Sequence, residues 1–381
     1  MFVGVDVGAS GTRYVNEEMV VHAIQNNTVF LGESDLVRIQ PYSDEILSGL
    51  LVEITKDGKG EFKRVRALIG DMANRYSTNT QTPTCMKNKL DQRVNFTSII
   101  TSIALSMLQY GKTYDKIELY LALPPIEAQN GLERANEEFI GKYVVELPKF
   151  DHKFEFDIVS VKIYEESFLA MLSYFFELDG KRVKPKATSK EFGNGRVLSL
   201  DAGDATTDLA VVENLRYIEK SGQTYKKGGN IACESLINQV RAIYGFDMPM
   251  DQARRVLSEG RMEFGNGYKD VSTIVEKAKK EYARAIVNQI QNYFYSIDMP
   301  IQTIRAIVVS GGGSMQSQYS ENGTIVVTTP SMSEYITDEL RDVCDTIDVR
   351  QIDGNPRYAN IQGLLVRINF DIARTYQNGS K

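Results

Sequence analysis

Hydrophobic positions along this chain follow two spacings, alternation of period two and recurrence near every third or fourth residue, which predict strands and helices respectively. Phe2, Val3, Val5 and Val7 form an apolar run broken by Asp6; it stops at Gly8-Ala9-Ser10-Gly11 before a second strand opens at Thr12. The same order returns in mid-chain, where Leu198-Ser199-Leu200-Asp201 runs into Ala202-Gly203-Asp204-Ala205-Thr206 and a second strand follows. Short strands are predicted over 49–54 and 65–69, separated by the turn Lys56-Asp57-Gly58-Lys59-Gly60. Residues 76–88 read as an exposed loop. Ile99, Ile100, Ile103, Leu105, Met107 and Leu108 predict a helix over 95–110. Strands follow at 117–123, stopped by Pro124-Pro125, and at 154–163. Beyond a polar surface connection at 181–194, helices are predicted over 231–244, 250–257 and 271–295. A strand at 304–309 feeds Ser310-Gly311-Gly312-Gly313, and a last helix covers 360–376. Strands alternating with helical stretches define the α/β class, mixed sheets covered by helices.

Composition narrows the partners. At 381 residues the chain exceeds the size at which one core keeps growing, so two domains are expected. Its 42% hydrophobic and 25% charged residues are those of an ordinary soluble protein. A formal charge of -6 and a pI near 5.3 argue against direct binding to nucleic acid or to a membrane surface, both of which need a basic face. Cys85, Cys233 and Cys344 lie far apart and are odd in number, which predicts reduced thiols in a cytosol. His22 and His152 stand at no zinc-binding spacing from them. No apolar run approaches the roughly 20 residues of a membrane-spanning helix, and the first residues lack a signal-peptide pattern, so a cytoplasmic location is expected.

The two turns carry the chemistry. Each strand delivers one carboxylate at its tip, and the small residues that follow let successive backbone N–H groups wrap a phosphate oxygen. Two such turns, near the starts of the two halves, suggest a duplicated domain that grips a polyphosphate and its metal. Together, Asp6-x-Gly8, Asp201-x-Gly203 and the triglycine after a late strand resemble the actin-like ATPase superfamily, from Phe2 to about Ile368. The segments Val161-Lys162-Ile163-Tyr164-Glu165-Glu166-Ser167 and Arg357-Tyr358-Ala359-Asn360-Ile361-Gln362-Gly363 are most similar to the bacterial ParM-type actins that segregate plasmids.

That resemblance implies a duplicated actin-like, ribonuclease-H-like α/β fold with a nucleotide cleft between two domains, 1–164 with a helix at 355–381 returning to it, and 165–354. It implies ATP as cofactor, with GTP left open, and Mg²⁺ held by Asp6 and Asp201, mostly through waters because magnesium dehydrates reluctantly. Phosphoryl transfer is catalysed mainly by positioning and charge neutralisation. Gly8, Ala9, Ser10, Gly11 and Thr12 would supply N–H and hydroxyl donors, Arg13 a cation, and Gly203, Asp204, Ala205 and Thr206 the second set. Gly311, Gly312 and Gly313 would lie against the adenosine, with Glu276 and Lys280 bracketing it from a helix. Glu276 and Lys280 equally fit a solvated ion pair at helical spacing. Hydrolysis needs a polarised water, and Glu166 matches the family's catalytic glutamate, with Glu165 adjacent as the alternative; Asp201 completes the catalytic pair. Ala205 departs from the family's usual glycine or threonine.

The implied activity is an ATPase that assembles into filaments with ATP·Mg²⁺ and disassembles after hydrolysis. Its partners would be copies of itself and, through a DNA-bound adaptor of the ParR type, plasmid DNA. A sugar-kinase-like phosphotransferase and a cell-shape or division actin are the alternatives. The first would need a general-base Asp in a substrate cleft, the second an amphipathic terminal helix. Segments 76–88 and 316–330 are candidate subunit contacts.

Overall fold

A computed structural model describes residues 1–8, 11–32, 50–70, 72–73, 80–84 and 87–379. Ala9, Ser10, and residues 76–79, 85 and 86 of the predicted loop 76–88, Cys85 among them, lie outside the described residues. The chain divides into two compact units, residues 1–184 with 360–381, and residues 185–359.

The first unit is built on strands β1 (Phe2–Val7), β2 (Thr12–Asn16), β3 (His22–Ile24), β4 (Thr28–Phe30), β5 (Leu50–Asp57), β6 (Arg64–Ile69), β7 (Lys116–Leu123), β8 (Gly141–Leu147) and β9 (His152–Glu165). They form one mixed sheet in the order β3-β2-β1-β7-β9-β8-β5-β6-β4. β1, β7 and β9 run parallel at its centre. Every residue of β1 is buried, and alternation sorts its side chains. Val3, Val5 and Val7 join Phe96, Ile100 and Ile103 of the helix Arg93–Tyr110 in one core. On the opposite face Gly4 lets Leu364 and Ile368 of the helix Ala359–Gly379 approach; a Cβ there would sit 3.1 Å from each. Asp6 shares Gly4's face by parity.

The helix Arg93–Tyr110 is buried on nearly all sides, more than its apolar positions alone predict. Two of its buried hydroxyls bond back to the helix itself, Thr97 Oγ1 to Arg93 O at 2.7 Å and Ser102 Oγ to Ser98 O at 2.8 Å.

Residues 165–184, assigned by the sequence reading to the second domain, cluster instead with the first unit. β9 runs directly into the helix Glu166–Phe175, whose Leu169 backbone meets Gly363 of the last helix. A Cβ on Gly363 would run into the Leu169 carbonyl. Gly363→Ala is therefore expected to destabilise this unit. Overpacking costs roughly 1–3 kcal/mol or more, above the ~1 kcal/mol that alanine gains over glycine inside a helix. A lowered thermal midpoint checks this; an unchanged or raised one would mean the two helices part without cost.

The polar stretch read as a surface connection also carries structure. Phe176–Asp179 pairs with Arg182–Pro185 as a hairpin, and Ala187–Phe192 is a short helix. Gly180, at φ 58°, makes the tight turn, and Phe192 buries itself where a polar loop would not.

In the second unit Arg196–Ala202 lies antiparallel to Thr207–Glu213 and parallel to Ile304–Ser310, which is itself parallel to Asp348–Gln351. Leu198, Leu200 and Ala202 point into a core with Ile286 and Ile290 of the helix Ser272–Ser296 and Leu236 of the helix Asn230–Tyr244. Asp201, of opposite parity, falls on the other face. Each unit thus repeats one device: a strand ending in Asp-x-Gly, flanked by an antiparallel strand and a parallel one, with its acid across the sheet from the main helix layer. Segment 316–330 is a hairpin, Ser317–Glu321 with Thr324–Thr329. Among the described residues no helix is long and apolar enough to cross a membrane.

Candidate functional site

In the first unit the register of β1 with β2 sets Asp6 opposite Arg13. Arg13 Nη1 lies 3.5 Å from Asp6 Oδ2, and Asp6 is only 2% exposed. The turn between them is closed by Gly8 N donating to Gly11 O at 3.0 Å. Asn26 clamps it from behind: its Nδ2 donates to Gly8 O at 2.6 Å, and its Oδ1 accepts from Thr12 Oγ1 at 2.6 Å. Thr12 is fully buried, so its hydroxyl serves the shape of the turn. A Cβ on Gly8 would sit 3.0 Å from Arg13 Nη1, which leaves the guanidinium against the bare turn.

Glu166 is the first residue of its helix and is buried; Glu165 occupies the N-cap position with extended backbone. Glu166 Oε1 accepts an ion-pair hydrogen bond from Lys89 Nζ. Burial opposes the Lys89 charge, but the Glu166 and Asp6 carboxylates outweigh it and hold the ammonium pKa above its usual value. Two ion pairs thus stand in this unit, Lys89 with Glu166 and Arg13 with Asp6, and the Asp6 charge also favours the Lys89 ammonium.

In the second unit the turn after Asp201 rests on glycines. Gly229 N donates to Gly203 O and Asn230 N to Asp204 O, each at 2.9 Å. A Cβ on Gly228 would approach Thr206 N to 2.6 Å. Asp204 turns its carboxylate to Arg254, whose Nε and Nη2 reach it at 3.0 and 2.9 Å. Thr206 Oγ1 donates to Asp208 Oδ2 at 3.1 Å, while Gly203, Asp204, Ala205 and Thr206 remain half-buried.

The triglycine turn packs on this one. Gly311 holds φ 87°, and a Cβ there would collide with Asp201 Oδ1 and Ala202 O, so only glycine fits. Gly313 lies over Ala202 and Gly203, where its Cβ would meet their carbonyls at 2.9 and 3.3 Å; beside Gly312 stands the Arg357 side chain. Glu276 and Lys280, by contrast, pair with each other at 2.7 Å on a half-exposed face of their helix. Lys279 between them is buried and donates to Met315 O at 2.9 Å.

The sequence reading did not identify Asn26, Lys89, Arg254 or Arg357. Asn26, in the polar run Gln25-Asn26-Asn27, had a signal in its turn chemistry. Lys89 and Arg254 come from segments whose pattern points only to loops and helix surfaces, and Arg357 opens the Arg357–Gly363 segment, which carried the resemblance without a role for the arginine.

Among the described residues no three His, Cys, Asp or Glu converge on a point. The available acids are single, all-oxygen donors at strand tips, a set that suits a hard cation retaining its waters and not zinc.

These features define the actin-like fold, two mixed sheets flanked by helices, and comparison with known proteins agrees. The family profile described as archaeal actin homologue MreB-like, C-terminal, matches residues 199–318. The actin-like protein Alp7A superposes with a TM-score of 0.74 at 17% identity, covering 100% of this chain and 98% of that one. Ta0583, an archaeal actin homologue, gives 0.68 at 15% identity over 96% and 98% of the two chains. Bacillus thuringiensis ParM with ATP gives 0.65 at 16% identity over 97% and 98%. No curated protein sequence matches the chain. The chain thus has the actin-like fold, with Alp7A, Ta0583 and ParM among its structural relatives.

Proposed function

We propose that this chain binds and hydrolyses a nucleoside triphosphate with magnesium, assembles into filaments of its own kind in the cytoplasm, and through a DNA-bound adaptor of the ParR type drives plasmid segregation. The observation that carries the reading is the repetition, in both units, of a strand-tip carboxylate followed by a turn of small residues, the second backed by the triglycine. ATP as the nucleotide draws support from Bacillus thuringiensis ParM, whose fold is the same and whose structures hold ATP, AMPPNP or ADP. An adaptor fits the acidic pI of 5.3, which disfavours direct contact with DNA.

The residues take roles that follow from charge. The Gly8–Gly11 and Gly203–Thr206 turns present N–H groups to phosphate oxygens, and Arg13 offsets their charge. Bound at Asp6 and Asp201, magnesium would neutralise further charge on the phosphates. Glu166 accepts a proton from water, and Gly311 to Gly313 give the nucleoside a surface without side chains.

Light scattering and pelleting test the reading. Both should rise when ATP and magnesium are added and fall as phosphate appears. A chain that stays monomeric at high concentration with any nucleotide overturns filament formation, and phosphate transfer to a sugar without polymer makes the protein a phosphotransferase. Asp201→Asn is expected to raise the magnesium concentration needed for nucleotide binding by roughly tenfold, the loss of about one charge-assisted contact. An unchanged magnesium titration counts against its metal role.

A further inference from the structure

Lys89 lies outside both turns and belongs to no phosphate motif. It stands in the short helical turn Lys89–Asp91 that precedes the helix Arg93–Tyr110. We propose that Lys89 is the positioning residue for Glu166, a fixed cation that keeps this carboxylate ionised and aimed for water activation; the inference rests on the hydrolytic reading above.

Glu166 needs a counter-charge. Its side chain is 7% exposed, and a buried carboxylate without a counter-charge takes up a proton or turns toward water. Either outcome removes a general base. Lys89 supplies the counter-charge, and its backbone is anchored on both sides. Lys89 N donates to Glu127 Oε2 at 2.6 Å and Lys89 O accepts from Asn95 Nδ2 at 3.0 Å. Gln92 ties the approach to Lys89: its Nε2 donates to the carbonyls of Lys87 at 2.9 Å and Asn88 at 3.2 Å. Asn95 and Gln92 are themselves buried, 1% and 6% exposed. A lysine on a free loop would lose rotamer and backbone freedom on pairing; this one is held where its ammonium reaches Glu166.

The surroundings also say which partner the ammonium serves. The ammonium pairs directly with Glu166, while the Asp6 and Glu127 charges favour it from further off. Its one ion pair among the described residues is with Glu166, so its charge acts through that carboxylate.

The test is a double-mutant cycle on the full chain, with phosphate release measured at saturating ATP·Mg²⁺ and nucleotide affinity measured separately. Lys89→Met should lower kcat roughly tenfold or more, with Kd for a fluorescent ATP analogue within about threefold of wild type. Wild-type affinity also shows that the variant is folded. Lys89→Arg, which keeps the charge, should recover most of the rate. In a Glu166→Gln background Lys89→Met should add no further loss, because a residue acting through another has nothing left to act on. Additive losses, a loss carried by Kd, or no recovery with arginine would overturn the assignment, the second making Lys89 a phosphate ligand. A wild-type chain that hydrolyses while Lys89→Met matches it overturns this inference alone. A wild-type chain that binds nucleotide but hydrolyses none overturns the underlying reading with it.

Discussion

Glu166→Gln is expected to slow phosphate release by roughly 100-fold or more while nucleotide affinity and ATP-dependent pelleting stay close to wild type. Glutamine keeps the shape of the buried side chain and its oxygen still accepts from Lys89, so the first turn of the helix Glu166–Phe175 is preserved. What disappears is the basicity needed to take a proton from water. Filaments should then persist, because hydrolysis is the step that weakens them in the proposed cycle. Single-turnover phosphate release beside a pelleting time course reads both effects. Glu165→Gln is the control. Glu165 takes the N-cap position and Glu166 the place beside Lys89, so the Glu165 variant should keep most of its rate. Normal hydrolysis in Glu166→Gln with loss in Glu165→Gln would exchange the roles.

The contrast between these neighbours shows what a sequence displays and what it withholds. Strand tips were legible: the alternation of Val3, Val5 and Val7 around Asp6, and of Leu198 and Leu200 around Asp201, follows from pleat geometry alone and reappears in the sheets. The long helices were legible for the same reason, their apolar spacing surviving burial. The sequence had less to say about pairs that depend on separate elements. Lys89 meets Glu166 only because the segment before Arg93–Tyr110 and the end of β9 reach the same place, and Arg254 meets Asp204 only through the packing of Met250–Glu259. The missed hairpin Phe176–Asp179 with Arg182–Pro185 has a related cause. Its strands are short and polar, and their pairing outweighs weak local preference. Likewise, Glu276, Lys279 and Lys280 read alike in one dimension, yet only Lys279 faces inward.

Burial of Lys279 carries the other large expected effect, a pH dependence of stability. Its side chain on the helix Ser272–Ser296 is 5% exposed. The Nζ donates to Met315 O at 2.9 Å and Thr329 Oγ1 at 3.0 Å, and among the described residues no carboxylate pairs with it. Burial pushes its pKa from the ordinary 10.5 down to about 7. Between those values the unfolded chain holds a proton that the folded chain has released, so stability rises with pH across the interval and the cost of the buried charge is complete below it. His22, lowered from 6.5 by burial, acts below this window. Cys233, raised by burial from 9.0 to about 12, makes stability fall only above about 9. Lys279→Met removes the titration while keeping the aliphatic stem. Between pH 7 and 8.5 the wild-type chain should therefore gain on the variant by roughly 1.5–2 kcal/mol, read from urea unfolding at matched ionic strength. The gain should come with a tighter hold on Ser317–Glu321 and Thr324–Thr329, since a neutral amine keeps its hydrogen bonds without the charge penalty. A constant difference across that range would mean that Lys279 keeps an ordinary pKa, with water reaching it where Met315 and Thr329 now close it off.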